Sequence, residues 1–417
     1  MRCRRFVLLA AACAMLSAAP RGALGQYRYC PPPCNNCQPY AQSEAARPLE
    51  EDSALDESTQ PVEMAQQPQQ TFTSSANNFT SASNTFAPNM IGDLLGGPAV
   101  PVQYDFFGSP YTFGVGSAGS LVAGRIKLSD NNSPLPRDRV FFDYSYFHNV
   151  PLASGGINVS RFVPGFEKTF FDGMASVDVR LPMLYTLNDE VTVLGSNVSS
   201  DHGTEFGDLA TTFKLLLWES DVWAVSGGMG ISAPTSDDLL VRQEGLGPLL
   251  RIGSNSVHLT PYIAALATPN DLFFVQSFLQ LDVDTNGDRV YTRNTLTGEL
   301  DFAGRYREQT YLYFDVATGV WLYRNDYTRG LSGVAAIFEV HYTQSLENLD
   351  VVSSSTSDVQ LGANVPGADN NFSLLNFTVG LTAVCGYGKT TTIGYAFPVT
   401  GDQVFDGEIR AFINWYF

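Results

Sequence analysis

Charge is scarce in this chain: Asp, Glu, Lys and Arg make up 16% of its 417 residues, against ~25% in ordinary globular domains. Bases are scarcer than acids, 24 to 42, giving a formal net charge of −18. That balance excludes nucleic acid as a partner, because phosphate binding needs the opposite sign. The four histidines, His148, His202, His258 and His341, lie too far apart for metal-ligand spacing. A glycine-rich phosphate loop is missing too, since Gly227, Gly228 and Gly230 alternate with Ser226, Met229 and Ile231 as in a packed strand. No cofactor and no enzymatic centre is predicted. After residue 25, no apolar run reaches the ~18 residues of a transmembrane helix.

Aromatic residues, by contrast, reach 12%. Many Tyr and Phe with few charges suit a surface that meets lipid. Without a membrane helix, a lipid-embedded chain must be a closed barrel, because backbone groups in lipid have no other source of hydrogen bonds.

The chain divides by texture. Residues 1–25 read as a signal peptide: Arg2, Arg4 and Arg5 precede the apolar run Phe6–Ala19, and Ala23-Leu24-Gly25 predicts cleavage before Gln26. Residues 26–100 are rich in Gln, Ser, Asn, Pro and Ala, and predict a disordered periplasmic segment. Its cysteines, Cys30, Cys34 and Cys37, suit a disulfide within the cluster or a bridge to another molecule. Residues 101–138 are a pre-barrel segment or a first strand, and 139–417 the barrel itself.

From residue 101 the period is two. Phe405, Gly407, Ile409, Ala411, Ile413, Trp415 and Phe417 share one face, and Asp406, Glu408, Arg410, Phe412, Asn414 and Tyr416 the other. The same alternation recurs over 271–283, 311–323 and 374–385, the last placing Cys385 on the lipid face as a small apolar residue. Tight turns near 171–173, 219–221, 268–270, 325–330 and 386–388 alternate with longer loops near 183–205, 235–255, 284–308 and 345–371. Short periplasmic turns and long outer loops are expected of an outer-membrane barrel. The count predicts an all-β, antiparallel up-and-down barrel of about twelve strands. Residues 118–129 either pair with 102–115 to make fourteen or pack inside a barrel of twelve.

The polar face supplies the candidate site. Asp143, Asp178, Arg180, Lys214, Asp315, Glu339, His341, Asp406, Glu408 and Arg410 fall on the non-lipid register and are predicted to line the lumen. Acids outnumber bases there, so mild cation selectivity is expected. The run Asp282-Val-Asp-Thr-Asn-Gly-Asp288 resembles the start of a calcium loop, but Arg293 stands where the bidentate Glu belongs. Asn286-Gly287 reads equally as a hairpin turn.

Two stretches carry a family likeness. Ile413, Trp415 and the terminal Phe417 resemble the signal read by the bacterial barrel-assembly machinery. Phe206-Gly-Asp-Leu-Ala-Thr-Thr-Phe-Lys214, followed by Val225-Ser-Gly-Gly-Met-Gly-Ile-Ser-Ala-Pro-Thr235, resembles phenol-degradation-type outer-membrane transporters, which are similar in turn to long-chain fatty-acid transporters. Ser236-Asp237 follows where the family carries Gly-Asp. The resemblance implies passive uptake of small solutes across the outer membrane, with lipids, the assembly machinery and the solute as partners. Two rival readings are a structural barrel without an open pore and a hydrolase at the outer rim.

Overall fold

The computed structural model describes residues 87–417 apart from short stretches, the longest being 117–124. The expected signal peptide, residues 26–86 of the low-complexity segment and the Cys30, Cys34 and Cys37 cluster lie outside the described residues. The expected disordered periplasmic segment does not run to residue 100, since residues 87–93 are buried in the barrel and a strand begins at Val100.

Twelve antiparallel strands close on themselves. They are β1 (Arg139–Val150), β2 (Ile157–Phe170), β3 (Ala175–Arg180), β4 (Leu209–Glu219), β5 (Trp223–Ala233) and β6 (His258–Ala267). The second half is β7 (Phe273–Asp284), β8 (Tyr311–Arg324), β9 (Leu331–Ser345), β10 (Ser373–Cys385), β11 (Lys389–Pro398) and β12 (Gly407–Tyr416). Each pairs with its chain neighbour, and β12 closes on β1 with Trp415 opposite Val140 and Phe412 opposite Asp143. Closure leaves no unpaired edge within the wall, which is what lets strands lie in hydrocarbon. Beyond Leu181-Pro182 the β3 line continues as Met183–Tyr185, which pairs with both β2 and Thr204–Phe206.

Burial follows the period of two. Along β8, Tyr311, Tyr313, Asp315 and Ala317 are buried, while Leu312, Phe314 and Val316 alternate outward. The outward set includes Phe142, Phe166, Phe213, Leu215, Ile263, Val275, Leu279, Phe338, Val379, Ile393 and Ile409, an exposed apolar band. Trp218, Trp223, Trp415 and Phe417 stand exposed at the end with short turns, and Tyr185, Phe206 and Tyr395 toward the other. Such aromatic girdles mark the two membrane interfaces. The chain is therefore a bacterial outer-membrane β-barrel.

In the β2–β3 turn the Met174 amide donates to the Phe171 carbonyl at 3.1 Å, and the two residues between them, Asp172 and Gly173, have φ 55° and 86°. Both central residues of a type I′ hairpin need positive φ, which joins β2 to β3 without splaying their twist.

Three expectations are corrected. The fourteen-strand alternative fails: Val100–Phe106 and Ser109–Val115 form a hairpin that pairs with Val359–Gly362 in the β9–β10 connection, outside the barrel wall. Phe405 does not face lipid. It precedes β12, is buried, and packs edge-on against Phe147 at 5.5 Å between ring centroids. Cys385 is buried beside Ala383 and Leu331 rather than exposed to lipid.

The outer connections are not simple loops. Leu300–Tyr306, Asp288–Arg293, Gly247–Ile252, Leu239–Gln243, Glu190–Leu194 and Asn197–Ser200 make a six-stranded sheet. The hairpin, Val359–Gly362 and Val351–Ser353 make a second sheet of four strands. Val102, Tyr104, Val241, Leu250, Ile252, Val290, Leu361 and Phe405 belong to one buried cluster that joins these sheets to the barrel mouth. The outer end thus carries a cap with a hydrophobic core of its own.

Candidate functional site in the barrel lumen

The lumen is filled by two stretches that precede β1. Residues 87–93 run outward from the periplasmic end, and 125–138 return to it and lead into β1; the outer hairpin Val100–Val115 lies between them in sequence. Almost every described residue of both legs is buried. Neither is helix or strand, so their backbone groups need partners elsewhere. The wall supplies them.

At the periplasmic end, Arg137 ties the legs together, donating from Nη2 to the Ala87 carbonyl at 2.8 Å and from Nη1 to Asn89 Oδ1 at 2.9 Å. Gln276 of β7 donates to the Pro88 carbonyl at 2.7 Å. Lys214 of β4 donates to the Ser133 carbonyl at 2.7 Å, to Asn132 Oδ1 at 2.8 Å and to Glu167 at 3.0 Å. Arg139 of β1 pairs with Glu167 at 2.8 Å and donates to the Asn131 carbonyl at 2.6 Å.

Midway, Glu339 of β9 accepts the Ile91 amide at 2.7 Å and the Gly92 amide at 2.8 Å, one on each carboxylate oxygen. His341 bridges Glu339 at 3.0 Å and Asp315 at 2.8 Å. Lys127 of the returning leg reaches Asp93 at 2.7 Å and Asp315 at 3.2 Å. Asp143 accepts from Asn131 at 2.6 Å. Arg180 donates to the Asp130 carbonyl at 2.6 Å and to Asp178 at 2.7 Å. Arg410 pairs with Asp130 at 3.1 Å, beside Glu408 at 3.5 Å. Near the outer end, Arg125 pairs with Glu308 at 2.6 Å and Asp282 at 3.5 Å, and Asp282 holds His258 at 2.9 Å.

Packing reinforces the polar seams. A Cβ at Gly380 would lie 2.4 Å from Ile91 Cδ1, and one at Gly394 would lie 2.8 Å from Ile91 Cγ2. The isoleucine therefore sits in a notch between β10 and β11 that only glycine leaves open. Burying such a side chain contributes roughly 1.5–3 kcal/mol. Gly92 has φ +86°, and a Cβ there would meet Asp130 Oδ1 of the returning leg at 2.0 Å.

Nine of the ten sequence-selected residues share this interior: Asp143, Asp178, Arg180, Lys214, Asp315, Glu339, His341, Glu408 and Arg410 are all buried. The structure sets Asp406 apart. It is exposed on the outer rim, where it accepts from Asn149 at 2.9 Å. The selection missed Arg139, Arg161 and Glu167 on the wall, although the register that picks out Asp143 also picks out Arg139. It also missed the cations of the legs, Arg125, Lys127 and Arg137, and their acids Asp93 and Asp130. Those lie in aperiodic chain, where neither a helical nor a strand period exposes a face.

The Asp282–Asp288 run resolves as a turn. Asp284 accepts the amides of Asn286 at 3.0 Å, Gly287 at 2.8 Å and Glu308 at 2.9 Å, and a short hydrogen bond from the Ser256 hydroxyl. Asp288 accepts the amides of Asn255 at 2.7 Å and Ser256 at 2.8 Å. Backbone donors therefore take up oxygens that a calcium loop would turn toward the ion. Asp93, Asp315 and His341 present ligand atoms close enough for a metal ion, yet the Lys127 ammonium already lies against both carboxylates.

Residues 153–393 match the family described as putative MetA-pathway of phenol degradation, and the chain belongs to that family. No curated relative matches the sequence. Among solved structures, the fold is similar to an outer-membrane channel from Pseudomonas putida F1, with 11% identity and a TM-score of 0.43, covering 70% of this chain and 100% of that one. It is similar to the NanC porin at 7% identity and TM-score 0.37, covering 67% of this chain and 100% of that one. It also resembles the toluene transporter TodX of Pseudomonas putida at 6% identity and TM-score 0.35, covering 66% and 88%.

Proposed function

We propose that this member of the family is an outer-membrane channel for small solutes, held closed by its own N-terminal segment. One observation carries the reading: residues 87–93 and 125–138 fill the lumen and bind wall residues along it. A barrel serving only as a scaffold could fill its lumen with apolar side chains from the wall, as small barrels do. Here the filling is a separate stretch of chain held largely by ion pairs and hydrogen bonds, which water can replace when the legs shift. Solute passes when they do.

The wall's carboxylates then matter in a second state. With the legs seated, Asp143, Asp315 and Glu339 are matched by plug donors. With the legs displaced, Asp93, Asp130 and Asp138 leave together with Arg125, Lys127 and Arg137, and the wall's own excess of acid faces water: Asp143, Glu167, Asp178, Asp282, Asp315, Glu339 and Glu408 against Arg139, Arg161, Arg180, Lys214 and Arg410. Mild cation preference belongs to that open state.

The test is conductance in planar bilayers. The intact protein is expected to be silent or to open rarely. Lys127→Ala and Glu339→Gln, which each remove an attachment while leaving the barrel strands intact, are expected to open more often. Steady large conductance of the intact protein would overturn the closed reading. Silence of both variants, properly folded by heat-modifiability, would favour the structural barrel.

A further inference from the structure

The cap contains a cleft that this reading does not use. It lies where the outer hairpin meets both cap sheets, and its volume is about 290 Å³. Tyr104 of the hairpin lines it; the residue is buried and its hydroxyl donates to Gln243 Oε1 at 2.7 Å, which fixes the ring. Asp105, Arg293, Thr295 and Asp358 stand around it. The Asp105 amide donates to the Asp358 carbonyl at 2.9 Å, so the two acids are held side by side. Asp105 Oδ1 accepts the Gly108 amide at 2.8 Å, and among the described residues no ion pair joins Asp105, Arg293 or Asp358 to another side chain.

Charges of both signs around one fixed aromatic ring restrict the ligand. A cation is drawn by the two carboxylates but repelled by Arg293, and an anion meets the reverse, so neither finds all three groups favourable. An apolar molecule strips water from all three charges and returns no hydrogen bond. A neutral molecule carrying adjacent hydroxyls meets every group: it donates to the carboxylates, accepts from the guanidinium, and lays its C–H face on the ring. Such charge-assisted hydrogen bonds are shorter and stronger than neutral ones. The volume lies at the small end of the ~300–1,000 Å³ usual for ligand pockets.

We propose that this cleft binds a neutral, hydroxyl-rich solute of mono- or disaccharide size at the outer mouth. The proposal deepens the channel reading and rests on it for its physiological sense. The ligand would touch the hairpin through Tyr104 and Asp105 and the cap through Arg293 and Asp358, so its binding and the seating of the legs are linked.

The experiment is titration calorimetry on the full barrel in an amine-oxide detergent, which carries no sugar headgroup, with glucose and maltose as probes. Saturable binding of either is expected. Arg293→Ala and Asp358→Asn should each weaken it about tenfold, roughly the loss of one charge-assisted hydrogen bond. Tyr104→Phe, which keeps the ring, should bind nearly as the parent does, and Tyr104→Ala should not bind. Each variant is first checked for heat-modifiable migration, so that misfolding is not read as lost binding. Absence of sugar binding, preference for an aliphatic amine or an organic acid, or indifference to Arg293→Ala would each overturn the assignment. Because the readout is binding, a barrel that binds sugar yet never conducts would sink the channel reading and leave the cleft standing.

Discussion

Glu339 and Gly92, 247 positions apart in sequence, are joined by a 2.8 Å hydrogen bond from the Gly92 amide to one carboxylate oxygen, while the other oxygen takes the Ile91 amide. A wall carboxylate thus grips the backbone of the outgoing leg, and the grip does not depend on the side chains at those two positions. It depends on φ at Gly92, which only glycine adopts readily.

Two substitutions test that grip. Glu339→Gln removes the charge and turns one acceptor oxygen into an NH2 donor, so one amide bond is lost and the other weakened, where each is worth ~1.5–3 kcal/mol to an ionised acceptor. Gly92→Ala drives a methyl group into Asp130. Both are expected to raise open probability in planar bilayers and to speed proteolysis of the plug, with the barrel still heat-modifiable. Gly92→Ala with the conductance and protease pattern of the parent would show that the leg tolerates the clash and that the seating is looser than described.

Selectivity should appear only once the legs move. In Lys127→Ala, reversal potentials in a salt gradient should favour cations. Adding Asp315→Asn should reduce that preference, whereas Phe314→Leu on the lipid side should leave it unchanged. In 1 M salt the screening length falls to ~3 Å, and the preference should fade. Anion preference in the opened variant would contradict the acidic-wall argument.

The cap should depend on pH through Asp288. Burial, reinforced by the neighbouring Glu308 and Asp284 carboxylates, pushes its carboxyl up to about 7 against the backbone amides of Asn255 and Ser256, which favour the ionised form. A folded-state value above the ordinary one means that the stabilising form is the protonated one. Its contribution is complete below about pH 4 and is lost as pH rises through 7. Protection in Asp288–Arg293, meaning hydrogen exchange corrected for the base-catalysed rate of an unstructured amide, should therefore be higher at pH 5 than at pH 8. Asp288→Asn should flatten the dependence, and equal protection at both pH values in the parent would refute the assignment.

Biogenesis should depend on the terminal residue. Ile413, Trp415 and Phe417 lie outward on or next to the closing strand β12, with Trp415 and Phe417 more than half exposed. We propose that they are read by the barrel-assembly machinery. Phe417→Asp, or its deletion, should lower heat-modifiable barrel in the membrane without lowering export. Parental levels would dismiss the signal.

Strand number, register and the inward set were legible because a wall between lipid and lumen imposes a strict period of two. Asp315 and His341 could be placed inside from β8 and β9 alone. Phe405 misled because the alternation of β12 runs on into the sequence before Gly407, where the surroundings change from lipid to the cap core. Lys127 and Asp93 were invisible for another reason. They lie in irregular chain whose course is set by wall groups hundreds of residues later, and local patterning holds no trace of such partners. The cap sheets leave only a loop-like signal in the sequence, because their strands are short and one pairing, Glu190–Leu194 with Leu239–Gln243, is parallel and non-local.

The Val100–Val115 hairpin lies beyond the outer mouth, while β1 starts at the inner one. The chain between them must cross the lumen. A cylinder already sealed along β1 and β12 would have to admit a paired hairpin through a space that, in the finished molecule, two extended stretches nearly fill. Order of assembly follows from this. The hairpin has to be across before the seam shuts, so the barrel is wrapped around its occupant rather than stoppered afterwards. Losing the occupant during assembly should then leave an open sheet and not an empty pore.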